Sequence, residues 1–151
     1  MTPQFGTAAP GAPYRDRPAA FGIAVQVGGI VLVRITKPGL APWLDLPGGA
    51  LEAGESAKQA LVREFGEETG LKDRAGLQIT MADQFFINTM GDRFNNRAVF
   101  FEALIEARAP RLKTESDHET ICLTADEALR GLRHDAHAWA VAAWLRGRPP
   151  S

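Results

Sequence analysis

Ser56 and Gly70 bracket the segment that most restricts how this chain can fold. Ser56 and Gln59 stand in the S-x-x-Q spacing, in which the serine side chain accepts from the backbone N–H three residues on and the glutamine answers in return. Gly70 occupies the place of a left-handed helix stop. The spacing predicts a helix over Ser56 to Thr69. On it Glu64, Glu67 and Glu68 fall within roughly 100° of arc, while Leu61, Val62 and Phe65 lie on an adjoining side. A helix of this kind packs on a sheet with one side and presents its acids with the other. Like charges at i,i+4 repel by a few tenths of a kcal/mol, so the cluster is unfavourable unless something offsets it. Gly66 costs about 1 kcal/mol against Ala in a helix interior, and nothing in the sequence accounts for it.

The partner for that helix is read from the strand signals. "FGIAVQV" and "IVLVRI" flank Gly28-Gly29 and read as a hairpin. The second run is apolar on both faces, which predicts a central, covered strand. "WLDLP" is a short strand running into Gly48-Gly49; "LQITMADQFFIN" and "RAVFFEALIEA" are two more, joined by "MGDRFNN". "TICL" is a further short strand, Thr124 and Glu127 offer a second capping box, and a last helix covers about His134 to Arg146. Strand pairs rather than strict alternation with helices imply an α/β chain of α+β type, with a mixed sheet between helices. Residues 1–18 hold four of the ten prolines without periodicity and read as a poorly ordered arm before one domain over 19–148.

The bulk values exclude more than they select. A net charge of -1 without long runs of one sign speaks against a nucleic-acid or membrane partner. Cys122 is the only cysteine, which rules out an intramolecular disulfide and favours a reducing compartment. No apolar leader or bilayer-length stretch is present, so a cytoplasmic protein is expected.

The glutamates belong to a longer pattern, "GALEAGESAKQALVREFGEETGL", residues 49–71. It resembles the Nudix box: Gly, five residues, Glu, seven residues, then Arg-Glu-apolar-x-Glu-Glu-x-Gly-apolar. Gly49, Glu55, Arg63, Glu64, Glu67, Glu68 and Gly70 match every fixed identity, and Phe65 and Leu71 fill the apolar slots, Phe being bulkier than the usual aliphatic. The resemblance implies an α/β/α sandwich that hydrolyses nucleoside diphosphates linked to another group, by water attack on phosphorus with Mg²⁺ or Mn²⁺. It makes Glu64, Glu67 and Glu68 metal ligands, and Glu64, oriented by Arg63, the first candidate for general base. Hard divalent cations take oxygen ligands and bind through carboxylates together with substrate phosphates. Arg63 is within reach of Glu67 or Glu55. Gly48 and Gly49 let backbone carbonyls approach the same ion without a side chain in the way.

Family members also draw an acid from a loop beyond the box, and in "KTESDHET" Glu115 sits nearest the expected place, with Asp117 and Glu119 as alternatives. His118, His134 and His137 are expected to be exposed or locally hydrogen-bonded rather than catalytic. The subclass is open: the proline associated with ADP-ribose and the tyrosine associated with dinucleoside polyphosphates are absent from "KDRAGLQITMADQFFINTM". Phe85, Phe86 and Phe94 are candidates to stack on a base, Arg93 and Arg97 to meet a phosphate, and Phe85 and Phe86 cannot both point inward from one strand. The leading expectation is a pyrophosphohydrolase acting on a small nucleotide. A nucleotide-sensing domain and an RNA 5′-end pyrophosphohydrolase are the alternatives; retention of every box acid counts against the first, and the net charge against the second. An arm packed across a second copy would make a homodimer.

Overall fold

The computed structural model describes residues 1–147. Its first sheet is mixed, in the order β1 (Gln4–Phe5), β7 (Leu71–Ile87), β8 (Arg93–Arg108), β2 (Arg15–Ile23), β6 (Gly48–Ala50). β1 runs parallel to β7 and β2 parallel to β8, whereas β7–β8 and β2–β6 are antiparallel. A second, antiparallel sheet is built on β4 (Gly29–Ile35), which pairs with β3 (Val25–Gln26), β5 (Trp43–Asp45) and β9 (His118–Leu123). Ile30, Val31, Leu32 and Val33 of β4 are at most 2% exposed, as expected of a strand covered on both faces.

Helices cover both faces of the main sheet. α1 (Ala57–Thr69) lays Ala60, Leu61 and Phe65 against Ala20, Val31, Phe101 and Ala103. Each fully buried Leu or Phe there contributes roughly 1.5–3 kcal/mol. Both predicted ends are present: Ser56 and Gln59 exchange side-chain and backbone hydrogen bonds, and Gly70 turns left-handed with φ 70°. α2 (Ala125–Gly131), capped by Thr124 and Glu127, and α3 (Asp135–Gly147) close the other face over Phe21 and Phe100. Gly66 has a packing explanation. A Cβ there would lie 3.2 Å from Leu112 Cδ1, in the 3₁₀ turn Pro110–Leu112 that crosses the helix.

Four sequence expectations need correction, the briefest being that β8 begins at Arg93, inside the expected loop "MGDRFNN", rather than at Arg97. The Gly28-Gly29 hairpin is only two residues deep on its first strand, because "FGI" belongs to β2 and the chain changes sheets at Ala24. β7 begins at Leu71 rather than Leu77, carried through register shifts that its polar first half does not signal. Residues 1–18 are not a loose arm. Gln4–Phe5 pair with Asp83–Gln84, Phe5 meets Trp139, and β2 already starts at Arg15. Pro18 is tolerated because β6 pairs with β2 only from Ala19 onward, while the Pro18 carbonyl accepts from Leu51 N–H at 3.0 Å. The far limit of the expected domain, Arg148, lies outside the described residues. Among the described residues no helix is long and apolar enough to cross a membrane.

Candidate active site

Arg63 organises the acids of α1. Its Nε and Nη2 donate to the two oxygens of Glu55 at 2.7 and 2.9 Å, and Nη2 also donates to the Ala50 carbonyl at 3.1 Å. Nη1 donates to Glu64 at 2.9 Å and to Glu67 at 3.2 Å. The two partners left open by the sequence are therefore both engaged, and the box arginine anchors β6, the loop and the helix together. These bonds, with a backbone N–H from Glu52, hold Glu55 down at a pKa of about 2. The same carboxylates stabilise the Arg63 cation.

Glu64 is pressed against residue 49: a Cβ at Gly49 would sit 2.8 Å from its carboxyl carbon. Burial pushes the Glu64 carboxyl up, opposed by Arg63 and reinforced by Glu67 and Glu115. Glu68 is 7% exposed, accepts from Gly48 N–H at 2.9 Å, and lies 3.4 Å from His118 Nε2. Burial raises it to about 7 despite those two partners.

The loop that follows β8 is docked on the end of this helix. Thr114 and Glu115 donate their N–H groups to the Glu67 carbonyl at 2.9 and 3.1 Å, and Lys113 donates to the Glu68 and His118 carbonyls at 3.2 and 2.7 Å. Glu115, Asp117 and His118 bring ligand atoms within 4.8 Å of one another. Asp117 is held at about 2 by Lys37 and then by His118. Glu119 points elsewhere, pairing with Arg34 at 2.8 Å on exposed surface.

A cavity of about 180 Å³ opens beside Gly48, Gly49 and Glu68 and is bordered by Arg17, Phe86 and Asn96. Phe86 meets Phe94 and His134 at centroid distances of 5.7 and 5.4 Å, whereas Phe85 faces away onto Tyr14. Arg97 does not border the cavity; it is held by Asp83 at 2.6 Å and Asp16 at 3.2 Å. Arg93 is spent on carbonyls of Ala9, Pro10 and Ala12. Two arginines border the cavity: Arg133 is bound to Asp45 at 2.7 Å, whereas Arg17 donates to Asn96 Oδ1 at 3.0 Å and lies 5.8 and 5.5 Å from the Phe86 and Phe94 ring centres. Burial lowers its pKa, and the nearby Glu64 counters that. Sequence reasoning missed Arg17 because it fell within the supposed arm; the Arg15-x-Arg17 alternation into an apolar run was the available signal. His134 and His137 lie at the cavity wall, both held neutral chiefly by burial, with His137 Nδ1 accepting from Leu46 N–H at 3.1 Å.

This donor set fits a hard divalent cation. It combines buried carboxylates raised by burial, which a cation would stabilise in ionised form, with a backbone approach at Gly49 that any Cβ would fill. The box acids Glu64, Glu67 and Glu68 and the Gly49 carbonyl are the groups that could hold it, although among the described residues the three ligand atoms that already lie within 4.8 Å of one another are those of Glu115, Asp117 and His118.

Residues 16–145 match the family model of the NUDIX domain. Two strains of Mycobacterium tuberculosis carry a relative named "Putative 8-oxo-dGTP diphosphatase 2", 42% identical over 67 residues, covering 38% of this chain and 48% of the relative. The chain thus spans about half the length of the curated relatives it matches. Among solved structures, a NUDIX hydrolase from Nitrosomonas europaea superposes with a TM-score of 0.74 at 20% identity, over 88% of this chain and 90% of that one. A MutT protein from Methanosarcina mazei gives 0.68 at 20%, over 90% and 97%. At these identities the two structures speak for the fold alone.

Proposed function

The chain belongs to the Nudix family, and from that premise we propose that it is a divalent-metal-dependent pyrophosphohydrolase cleaving the diphosphate linkage of a small nucleotide, NDP-X or NTP. The observation that carries the reading is the hydrogen bonding of the box acids, Glu55, Glu64 and Glu67 to Arg63 and Glu68 to Gly48 N–H, with Glu68, Gly48 and Gly49 bordering one cavity. A bound Mg²⁺ or Mn²⁺ supplies acidification of water and offsets charge on the phosphate oxygens. Glu64 takes the proton from the attacking water, its carboxyl fixed by Arg63 and by the Gly49 backbone. Arg63 keeps that carboxylate from rotating, and Glu55 keeps Arg63 in place. Arg17 meets a phosphate oxygen, for which its guanidinium geometry is suited. Phe86 offers a ring face to the base. The single Cys122 supports a reducing, cytoplasmic setting.

The reading is tested by a screen of nucleoside di- and triphosphate derivatives with Mg²⁺ and Mn²⁺, scored by product identity. The screen includes 8-oxo-dGTP, on the name of the Mycobacterium tuberculosis relative. Release of a nucleoside monophosphate from at least one derivative is expected. A folded protein that hydrolyses none of them with either ion overturns the proposal.

A further inference from the structure

The last carbonyls of a helix have no partner within it, and at the end of α1 the chain that follows β8 supplies them. Ala109 N–H donates to the Gly70 carbonyl at 2.8 Å, and Thr114 and Glu115 N–H to that of Glu67. Lys113 takes the carbonyl between, that of Glu68, at 3.2 Å. An ammonium has three N–H donors, and the Lys113 Nζ also meets the carbonyls of His118, at 2.7 Å, and Glu115. Those two residues close a turn, His118 N–H donating to the Glu115 carbonyl at 3.3 Å. Lys113 therefore ties both ends of this turn to the end of the acid helix, where a cation is also favoured by the helix dipole.

The same turn carries the ligand atoms of Glu115, Asp117 and His118, and brings His118 Nε2 to 3.4 Å from the Glu68 carboxylate. Glu68 is thus held twice, its carbonyl by Lys113 and its carboxylate by Gly48 N–H. Asp117 has a tether of its own in Lys37. The Glu115 carboxylate has no ion pair among the described residues, so the backbone bonds made by Lys113 and Glu67 set its place. It is close enough for its charge to act on Glu64. We propose that Lys113 is a positioning residue of the acid site, which fixes Glu115 and His118 against the box acids before a divalent cation arrives. The inference rests on the metal-dependent reading above.

The test titrates Mn²⁺ into the full chain without substrate, well below the melting temperature, and follows the free ion by electron paramagnetic resonance. Lys113→Met keeps the length of the side chain and removes its donors. It should lower the apparent Mn²⁺ affinity at least about threefold, near the lower end of couplings between residues in contact. Lys113→Arg, which keeps donors and charge on a differently shaped head, should lose less. Glu115→Gln should also weaken binding, and Lys113→Met should add nothing further in that background. Turnover is not the readout, so a failed nucleotide screen and a failed role for Lys113 are told apart. A lower Tm with unchanged or higher Mn²⁺ affinity would leave Lys113 a helix cap alone, and additive losses in the double variant would show that it does not act through Glu115; either result overturns the proposal.

Discussion

Gly49→Ala tests whether the Glu64 carboxyl is positioned by backbone contact. Gly49 is outside the left-handed region, so alanine meets no backbone strain, and the perturbation is steric alone. The new Cβ would stand 2.8 Å from Glu64 Cδ and 3.0 Å from both oxygens, where ordinary contact begins at 3.4 Å. The carboxyl must retreat by about 0.6 Å, against the 2.9 Å bond from Arg63. Overpacking of this sort costs roughly 1–3 kcal/mol, and the reduced freedom of the unfolded chain returns about 0.4–1 kcal/mol. The net loss is roughly 0.5–2 kcal/mol, or about 2–6 °C in Tm for a chain of this size. A displacement of 1 Å at reacting groups can cost about 100-fold, so turnover should fall by roughly 10-fold or more. The assay pairs hydrolysis of the best substrate from the screen with metal-free thermal melts, and Gly147→Ala, where a Cβ meets nothing within 4 Å beyond its own helix and chain neighbours among the described residues, is the control. Combining Gly49→Ala with Glu64→Asp, which withdraws the carboxyl by one methylene, should give a non-additive cycle. Turnover within about twofold of wild type together with an unchanged melt would refute the contact.

Glu64→Gln should lower turnover by at least about 10²-fold, the usual loss of a general base, with metal-free stability level or slightly raised; Glu115→Gln should cost less, and the reverse order would move the base to the loop. Asp73 predicts a pH trend in stability. Its folded pKa of about 7 is raised from 3.8 by burial, so its contribution is fully present below about 4 and is lost as pH rises through 7. Urea unfolding of Asp73→Asn at pH about 8 should therefore be harder than wild type by ~1 kcal/mol or more, with no gain near pH about 4; equal differences at both would show another cause. Deleting residues 1–14 removes the Gln4–Phe5 pairing and the Phe5–Trp139 and Tyr14–Phe85 contacts. Calorimetry should show a lower Tm but one cooperative transition, since the two core clusters remain; a non-cooperative melt would make the segment part of the folding unit.

Local signals were legible wherever one residue type has one use. Ser56, Gln59 and Gly70 marked both ends of α1, and Thr124 and Glu127 marked the start of α2. The spacing of Arg63 from Glu55 and Glu67 likewise announced the ion pairs that join them. What escaped were facts that depend on the partner. That "FGI" pairs with β8 rather than with "IVLVRI" is decided by contacts nearly eighty positions away, which no local pattern carries. Gly66 looked unfavourable because its reason, Leu112, lies across a turn. Arg17 and Arg97 are chemically equivalent in the sequence. Only the sheet's alternation puts Arg17 at the cavity and leaves Arg97 between Asp16 and Asp83.

The parallel pairing of β2 with β8 bears on how the chain is made. Every pair in that register, from Arg15↔Phe94 to Ile23↔Glu102, is separated by 79 residues. Ribosomes add about 5–20 residues per second, so β2 waits roughly 4–16 s for its neighbour to be synthesised. Throughout that interval the buried run Ala19–Ile23 has at most the short β6 beside it. Non-local parallel pairing is slow to close and exposes apolar strand edges while it does. Slowing translation between residues 24 and 93 should therefore lower soluble yield, whereas a pause after residue 108, when β8 is complete, should not.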